Sequence, residues 1–218
     1  MSSSDDDVPK KKARPRLTAK FAAEQLGAKP GVMRRAILAQ KYPKEGAGAF
    51  MTPYYQRAFT TFRHYYSDGP SALAVGLAKA LSITQATRRE NNSRAIRTFA
   101  ESQLVKRKFK LLPKSTFSAR VGGVELKLSP DLLVDENGKL RFLYVNCKQA
   151  QYPPETAKRL LEIACYIMWQ NGQDVSPEQF EFVDLFTKAS YTIHEVRQST
   201  IDQLLDETKQ VLEIWDEV

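Results

Sequence analysis

The sequence predicts an α/β protein in which a mixed sheet, flanked by helices, follows a helical N-terminal region. Apolar residues recur at helical spacing through residues 17–89. Alternating apolar residues on either side of Asn137-Gly138 then indicate two strands. A long amphipathic helix and a further strand pair come next. Strands that are separated by a helix in this way are typical of a sheet covered by helices.

The chain begins with a polar tail, residues 1–16, in which an acidic run precedes the basic run Pro9–Arg16. This composition predicts disorder. The basic run would contact phosphates, serve as a nuclear-import signal or simply be solvated. In the region that follows, Gly and Pro separate the apolar-periodic segments. We predict helices at Thr18–Leu26, Gly31–Gln40, Pro53–Tyr66 and Pro70–Ala80.

Seven aromatic residues recur at helical spacing between residues 50 and 66, with Arg57, Arg63 and His64 among them. Aromatic rings that alternate with cations suit a nucleic-acid channel, because bases stack on rings while cations follow the backbone. The same spacing is also typical of a helical core with a basic outer face. Both interpretations stay open from the sequence.

A β-hairpin is predicted around Asn137-Gly138, a dipeptide that readily adopts the positive φ angles of a tight turn. Its strands are Val124–Val134 and Leu140–Cys147. With Asn137 and Gly138 at the centre of the turn, Glu136 faces Lys139. The same register pairs Asp131 with Tyr144, Ser129 with Asn146 and Lys127 with Lys148.

This register would place Asp131, Asn146 and Lys148 on one face, because cross-strand partners and alternate residues share a face. Asp131 could then bind a hard cation such as Mg²⁺ or Mn²⁺ through oxygen, and such an ion lowers the pKa of a bound water. Lys148 would orient or deprotonate that water, or stabilise developing negative charge. An ordinary hairpin with these residues on its solvated face is the alternative.

The hairpin residues resemble the PD-(D/E)xK nuclease superfamily, which has the restriction-endonuclease-like fold, and most closely its RecB-like branch. The resemblance covers residues 90–195, and we assign residues 90–218 to a nuclease-like core with a C-terminal helix. The order of predicted elements fits the resemblance: a helix at Asn92–Lys106, strands at Phe109–Ser118, Val124–Val134 and Leu140–Cys147, a helix at Glu155–Gln170 and a strand pair at Phe180–Glu195.

The resemblance implies a catalytic role for Asp131 and Lys148, at the motif aspartate and lysine. Asn146 stands at the acidic position, and Cys147 would offer its backbone carbonyl to the metal. Asn146 is a departure from the family, because an amide carries no negative charge. Glu162, fourteen residues beyond Lys148, would supply an extra catalytic and metal-binding carboxylate.

Glu162 and Tyr166 also resemble a QxxxY motif with glutamate in place of glutamine. On a helix Glu162 lies nearly opposite the apolar stripe, on a polar stripe with Glu155, Arg159 and Tyr166. A solvated helix face with a Glu155–Arg159 ion pair is the alternative.

The resemblance implies a Mg²⁺- or Mn²⁺-dependent DNA nuclease that acts in DNA processing, recombination or defence. The neutral Asn146 favours an alternative: a catalytically inactive, nuclease-like protein that binds nucleic acid or serves as an assembly subunit. A structural or interaction protein is the third possibility, with the amphipathic C-terminal segment Ile201–Trp215 as its contact surface for a partner protein.

The net charge of +8 is unevenly distributed. Residues 1–120 hold 24 Lys and Arg against 8 Asp and Glu, whereas residues 121–218 hold 9 against 17. A basic half suits contacts with phosphates, although charge can also serve solubility alone. The predicted nucleic-acid-binding residues are Arg88, Arg89, Arg94, Arg97, Lys106, Arg107, Lys108 and Tyr166.

The two cysteines, Cys147 and Cys165, imply no disulfide framework. We therefore expect a cytoplasmic protein, with the nucleus as the alternative if the basic run directs import. No apolar run approaches the roughly 18 residues of a membrane span, so we expect no membrane partner.

Overall fold

The computed structural model describes residues 14–25, 30–42 and 53–217, so most of the predicted tail lies outside it. The described part consists of α-helices and β-strands joined by loops. The α-helices are α1 (Ala19–Gln25), α2 (Pro30–Lys41), α3 (Gln56–Asp68), α4 (Ser71–Leu81), α5 (Ala86–Glu101), α6 (Pro154–Gln170) and α7 (Gln198–Glu217). The strands are β1 (Arg16–Thr18), β2 (Lys110–Leu111), β3 (Phe117–Val121), β4 (Val124–Leu128), β5 (Leu132–Glu136), β6 (Lys139–Asn146), β7 (Phe180–Asp184) and β8 (Ala189–Thr192).

A five-stranded mixed sheet, in the order β2-β5-β6-β7-β8, is the centre of the fold. β5 and β6 form an antiparallel hairpin, and β6 pairs in parallel with β7. α6 connects these two parallel strands, and it begins at Pro154, where a missing N–H costs no helical hydrogen bond. The carboxyl ends of β6 and β7 therefore lie side by side.

The predicted register of the hairpin is confirmed. Asn137 and Gly138 have φ angles of 56° and 79°, as a two-residue turn of this type requires. Glu136 pairs with Lys139, and Leu132 pairs with Leu143. Asp131 therefore lies across from Tyr144, one residue before β5 begins.

The prediction of one continuous strand from Val124 to Val134 is wrong. The chain bends at residues 129–131, and β4 enters a separate three-stranded sheet, in the order β1-β4-β3. Pro130 explains the break, because proline has no N–H to continue a ladder. Lys127 accordingly pairs with Ser118, so it does not face Lys148, and Ser129 lies outside the strands.

The central sheet is covered by helices on both faces, as predicted. Alternate residues of β6 contribute to different cores: Phe142 and Tyr144 to the first, Leu143 and Val145 to the second. The first core also takes residues from α1, α2, α6 and α7 and from the smaller sheet. The second takes residues from α3, α4 and α5.

The N-terminal helices pack into these same two cores, and the predicted boundary between residues 89 and 90 falls inside α5. Phe50, the first residue of the aromatic run, lies outside the described residues. The rest of the run belongs mainly to the second core, where Phe62 is buried and stacks on Phe99 with ring centroids 4.1 Å apart. Among the described residues, none of the helices is both long and apolar enough to cross a membrane.

Candidate functional site

Asp131 is held at the bend before β5 by its own backbone and side chain. Its N–H donates to the Leu143 carbonyl at 2.9 Å, and its Oδ2 accepts from the Val145 N–H at 2.8 Å. Its carbonyl accepts from Arg63 of α3, at 2.6 Å from Nη2 and 3.2 Å from Nε. The carboxylate thus continues the ladder of hydrogen bonds along β6, in place of a backbone carbonyl.

The surroundings of Asp131 are cationic. Burial raises the pKa of its carboxyl above the ordinary value, while the hydrogen bond from Val145 and the positive charges of Lys20, Arg63 and Lys114 oppose that rise. Lys20 comes from α1, and its ammonium also lies 5.7 Å from the centre of the Tyr152 ring. The charges that act most strongly on Asp131 are therefore ammonium and guanidinium groups rather than a second carboxylate.

Tyr144 lies across the hairpin from Asp131, with 4% of its surface exposed. Its hydroxyl is buried without a hydrogen-bond partner in the described part of the chain. Burial, and secondarily the negative charge of Asp131, raise the pKa of this hydroxyl well above its ordinary value. The phenol therefore stays neutral at any physiological pH.

Asn146, at the end of β6, has both of its side-chain polar atoms in use. Its Oδ1 accepts from the Lys148 N–H at 3.0 Å. Its Nδ2 donates to the Ala150 carbonyl at 2.9 Å and to Oδ1 of Asp184 at 3.1 Å. The amide thus shapes the loop after β6, and it is buried.

Asp184, at the end of β7, is a fully buried carboxylate that sequence reasoning missed. Besides the amide of Asn146, its oxygens accept from the backbone N–H groups of Tyr152 (2.9 Å), Phe186 (2.9 Å) and Thr187 (3.4 Å). It therefore ties together the loops that follow two parallel strands. The available signal was its position at the end of a buried strand, next to the end of β6.

Cys147 and Lys148 follow β6, and Lys148 lines a different cleft from Asp131. The Lys148 side chain is exposed and lines a cleft with Arg94, Phe186 and Lys188. Asp131 lines a different cleft, against Arg63 and other residues of α3. The Cys147 thiol is buried in the second core, and this burial raises its pKa.

Glu162 is not at this site. It is buried on α6 and accepts from Nε of Arg197 at 2.6 Å; Arg197 also contacts Glu155 at 3.3 Å. The alternative of a solvated helix face does not hold at Glu162, because this side chain is buried against Arg197. Tyr166, one turn later, packs against the first core.

The predicted basic residues separate into engaged and exposed groups. Arg107 is engaged: it pairs with Glu136 and Glu181, at 2.8 Å in each case, and lies over the Phe109 ring. Arg88 and Arg89 donate to the backbone carbonyls of residues 53 and 83. Arg97, Lys106 and Lys108 are exposed, and Arg94 is half-buried in the Lys148 cleft.

These residues do not fit a divalent cation. Within residues 14–25, 30–42 and 53–217, no group of three or more His, Cys, Asp or Glu side chains is placed to hold a metal ion. Mg²⁺ and Mn²⁺ prefer several oxygen ligands. Here the oxygen of Asn146 already accepts a hydrogen bond, Glu162 is paired with Arg197, and Asp131 is left with cations around it.

Comparisons with known proteins do not assign this chain to a family. No protein-family model matches the chain, and no curated protein matches it. The crystal structure of SSO0001 is similar over 84% of this chain and 85% of that one, with 13% sequence identity and a TM-score of 0.36. A similarity at this level carries no information about function.

Proposed function

We propose that this chain is a nucleic-acid-binding protein that is arranged like a PD-(D/E)xK nuclease but lacks metal-dependent chemistry. The arrangement of elements supports the first part. Asp131 precedes the first strand of an antiparallel hairpin, residues 146–148 end the second, and a helix then leads to a parallel strand. This is the order that the resemblance implies for the superfamily.

The hydrogen bonds of Asn146 are the observation that carries the loss of chemistry. The oxygen of Asn146 accepts from the Lys148 N–H, and its amide nitrogen donates to Asp184, so both polar atoms of the side chain serve the loop. Satisfying both atoms in a buried position stabilises the loop. These contacts support a structural role for Asn146 in place of metal binding.

The cations that line two clefts support the binding function. Lys148 and Lys188 are exposed beside Arg94, and Arg63 lies with Lys114 in the neighbouring cleft around Asp131. Clustered cations attract the phosphates of nucleic acids, and binding of this kind weakens steeply with salt. We propose that the nucleic acid is DNA, either single-stranded or double-stranded.

A Mg²⁺- or Mn²⁺-dependent DNA nuclease is the second candidate. Asp131 directly before β5 and Lys148 two residues after β6 follow the order of the motif, and this order favours the nuclease. The two candidates differ in one measurable respect, which is whether strand scission depends on Lys148.

The test combines cleavage and binding on the purified protein. Labelled single- and double-stranded DNA would be incubated with Mn²⁺ or Mg²⁺ and either the wild type or Lys148→Ala. We expect no difference in strand scission between the wild type and Lys148→Ala. Lys148-dependent scission would instead establish the nuclease.

Binding to the same DNA would be measured over a salt series. We expect affinity to fall steeply with salt, and Lys148→Ala to reduce the slope of log K against log salt by about 1. The matched control is Lys209→Ala on α7, which removes an exposed lysine that pairs with Asp206. A wild-type protein without salt-sensitive binding would overturn the proposal.

A further inference from the structure

Phe186 is an exposed aromatic residue on the turn between β7 and β8. About 51% of its surface is exposed, although a phenylalanine is normally buried because of its large apolar area. It lines the same cleft as Arg94, Lys148 and Lys188. An exposed aromatic ring in a cleft lined by cations therefore indicates a binding surface.

The turn holds Phe186 in a fixed place. Its N–H and that of Thr187 donate to the buried carboxylate of Asp184, and Lys188 adopts a left-handed φ of 58°. These contacts fix the backbone of the turn, so a ligand that binds the ring does not have to order the backbone.

The charges around Phe186 define the chemistry of the ligand. Three cations face the cleft, against the single carboxylate of Glu101. Arg94 donates to Asn91 at 2.6 Å, and its guanidinium has further N–H groups for a second acceptor. A ligand that combines a flat apolar ring with negative charge on either side fits this surface.

We propose that the cleft binds an unpaired base of single-stranded nucleic acid, which stacks on Phe186 while its flanking phosphates contact Arg94, Lys148 and Lys188. The inference rests on the proposed nucleic-acid binding and specifies the form of the ligand. Within a duplex every base except those of the terminal pairs has both faces covered by neighbouring bases, so stacking on the ring favours an unpaired base.

The experiment compares Phe186→Ala with Phe186→Trp in the full chain. Fluorescence anisotropy would measure their affinities for a single-stranded oligonucleotide and for a long duplex, in which nearly all bases have both faces covered. We expect Phe186→Ala to weaken single-strand binding by at least about fivefold and to leave duplex binding within about twofold of the wild type. Phe186→Trp should retain single-strand affinity, and its indole emission should be quenched on binding.

The control is Leu81→Ala, which removes another exposed apolar side chain, at the end of α4, and should change neither affinity. Single-strand binding that is unchanged in Phe186→Ala, or equal losses for single strand and duplex, would overturn the stacking proposal alone. Unchanged nucleic-acid binding together with altered self-association would identify Phe186 as a protein contact. Lys148-dependent strand scission would overturn the proposed function and leave stacking intact, whereas a wild type that binds no nucleic acid would overturn both.

Discussion

Two aspartates near the ends of the central strands differ in how the protein accommodates their charge. Asp184 is fully buried, and four N–H donors surround its oxygens. Asp131 is half-buried and accepts from one backbone N–H, with cations nearby. A motif drew attention to Asp131, but the hydrogen bonds show that Asp184 is the carboxylate on which the local structure depends.

Replacing Asp184 should have the largest effect. Asp184→Ala removes the acceptor of three close donors that are buried or partly buried, and each unsatisfied donor costs about 1–3 kcal/mol. We expect the free energy of unfolding to fall by about 3 kcal/mol or more, as measured by urea denaturation. Asp131→Ala is the matched comparison, with an expected loss of about 1 kcal/mol. Equal losses would remove the distinction between the two carboxylates.

Converting Asn146 into the family's aspartate tests whether this end of the sheet is a metal site. Asn146→Asp would place a second buried carboxylate against Asp184 and remove two donated hydrogen bonds. We expect a loss of about 2 kcal/mol in unfolding free energy at neutral pH. The loss should shrink as the pH falls, because protonation of the introduced carboxyl removes its negative charge.

Mn²⁺ supplies the control for Asn146→Asp. We expect Mn²⁺ to leave the variant's unfolding free energy unchanged and to produce no strand scission. If Mn²⁺ restored the lost stability, the introduced carboxylate would bind the ion. This end of the sheet would then be a potential metal site, contrary to the structural role of Asn146.

The hairpin and the covering helices could be predicted from the sequence because the signals are local. Asn137-Gly138 fixes the turn and thereby the register from Leu132 to Leu143. The amphipathic pattern of α6 and α7 likewise reflects which residues face the core. These features depend on residues that are close together in the sequence.

The site could not be predicted because its contacts join distant parts of the chain. Lys20 acts on Asp131 from α1, and Arg197 reaches Glu162 from the start of the last helix. The break at Pro130 was a local signal, and alternation of apolar residues through it concealed the change of sheet. The sequence therefore did not indicate which distant cation would neutralise each of these carboxylates.

The Tyr144 hydroxyl, which is buried without a hydrogen-bond partner among the described residues, allows a further test beside Asp131. Tyr144→Phe removes a buried polar group that has no partner among the described residues, so we expect the unfolding free energy to rise by about 1 kcal/mol. Tyr65→Phe is the control, because its hydroxyl donates to the Val105 carbonyl at 2.8 Å. That variant should lose about 1 kcal/mol. A loss in Tyr144→Phe would show that its hydroxyl is satisfied in solution.

The smallest expected effect is the pH dependence that Asp131 contributes. Burial raises the pKa of its carboxyl above 3.8 in the folded protein. Between 3.8 and the raised pKa the folded state therefore holds more protons than the unfolded state, and stability falls as the pH rises through this interval. Asp131→Asn keeps an acceptor for the Val145 N–H without the charge. We expect its unfolding free energy to gain on that of the wild type with rising pH, by less than about 1 kcal/mol, in urea denaturation at several pH values. The opposite trend would mean that Lys20, Arg63 and Lys114 outweigh burial, so that the carboxylate is stabilised by the cations around it.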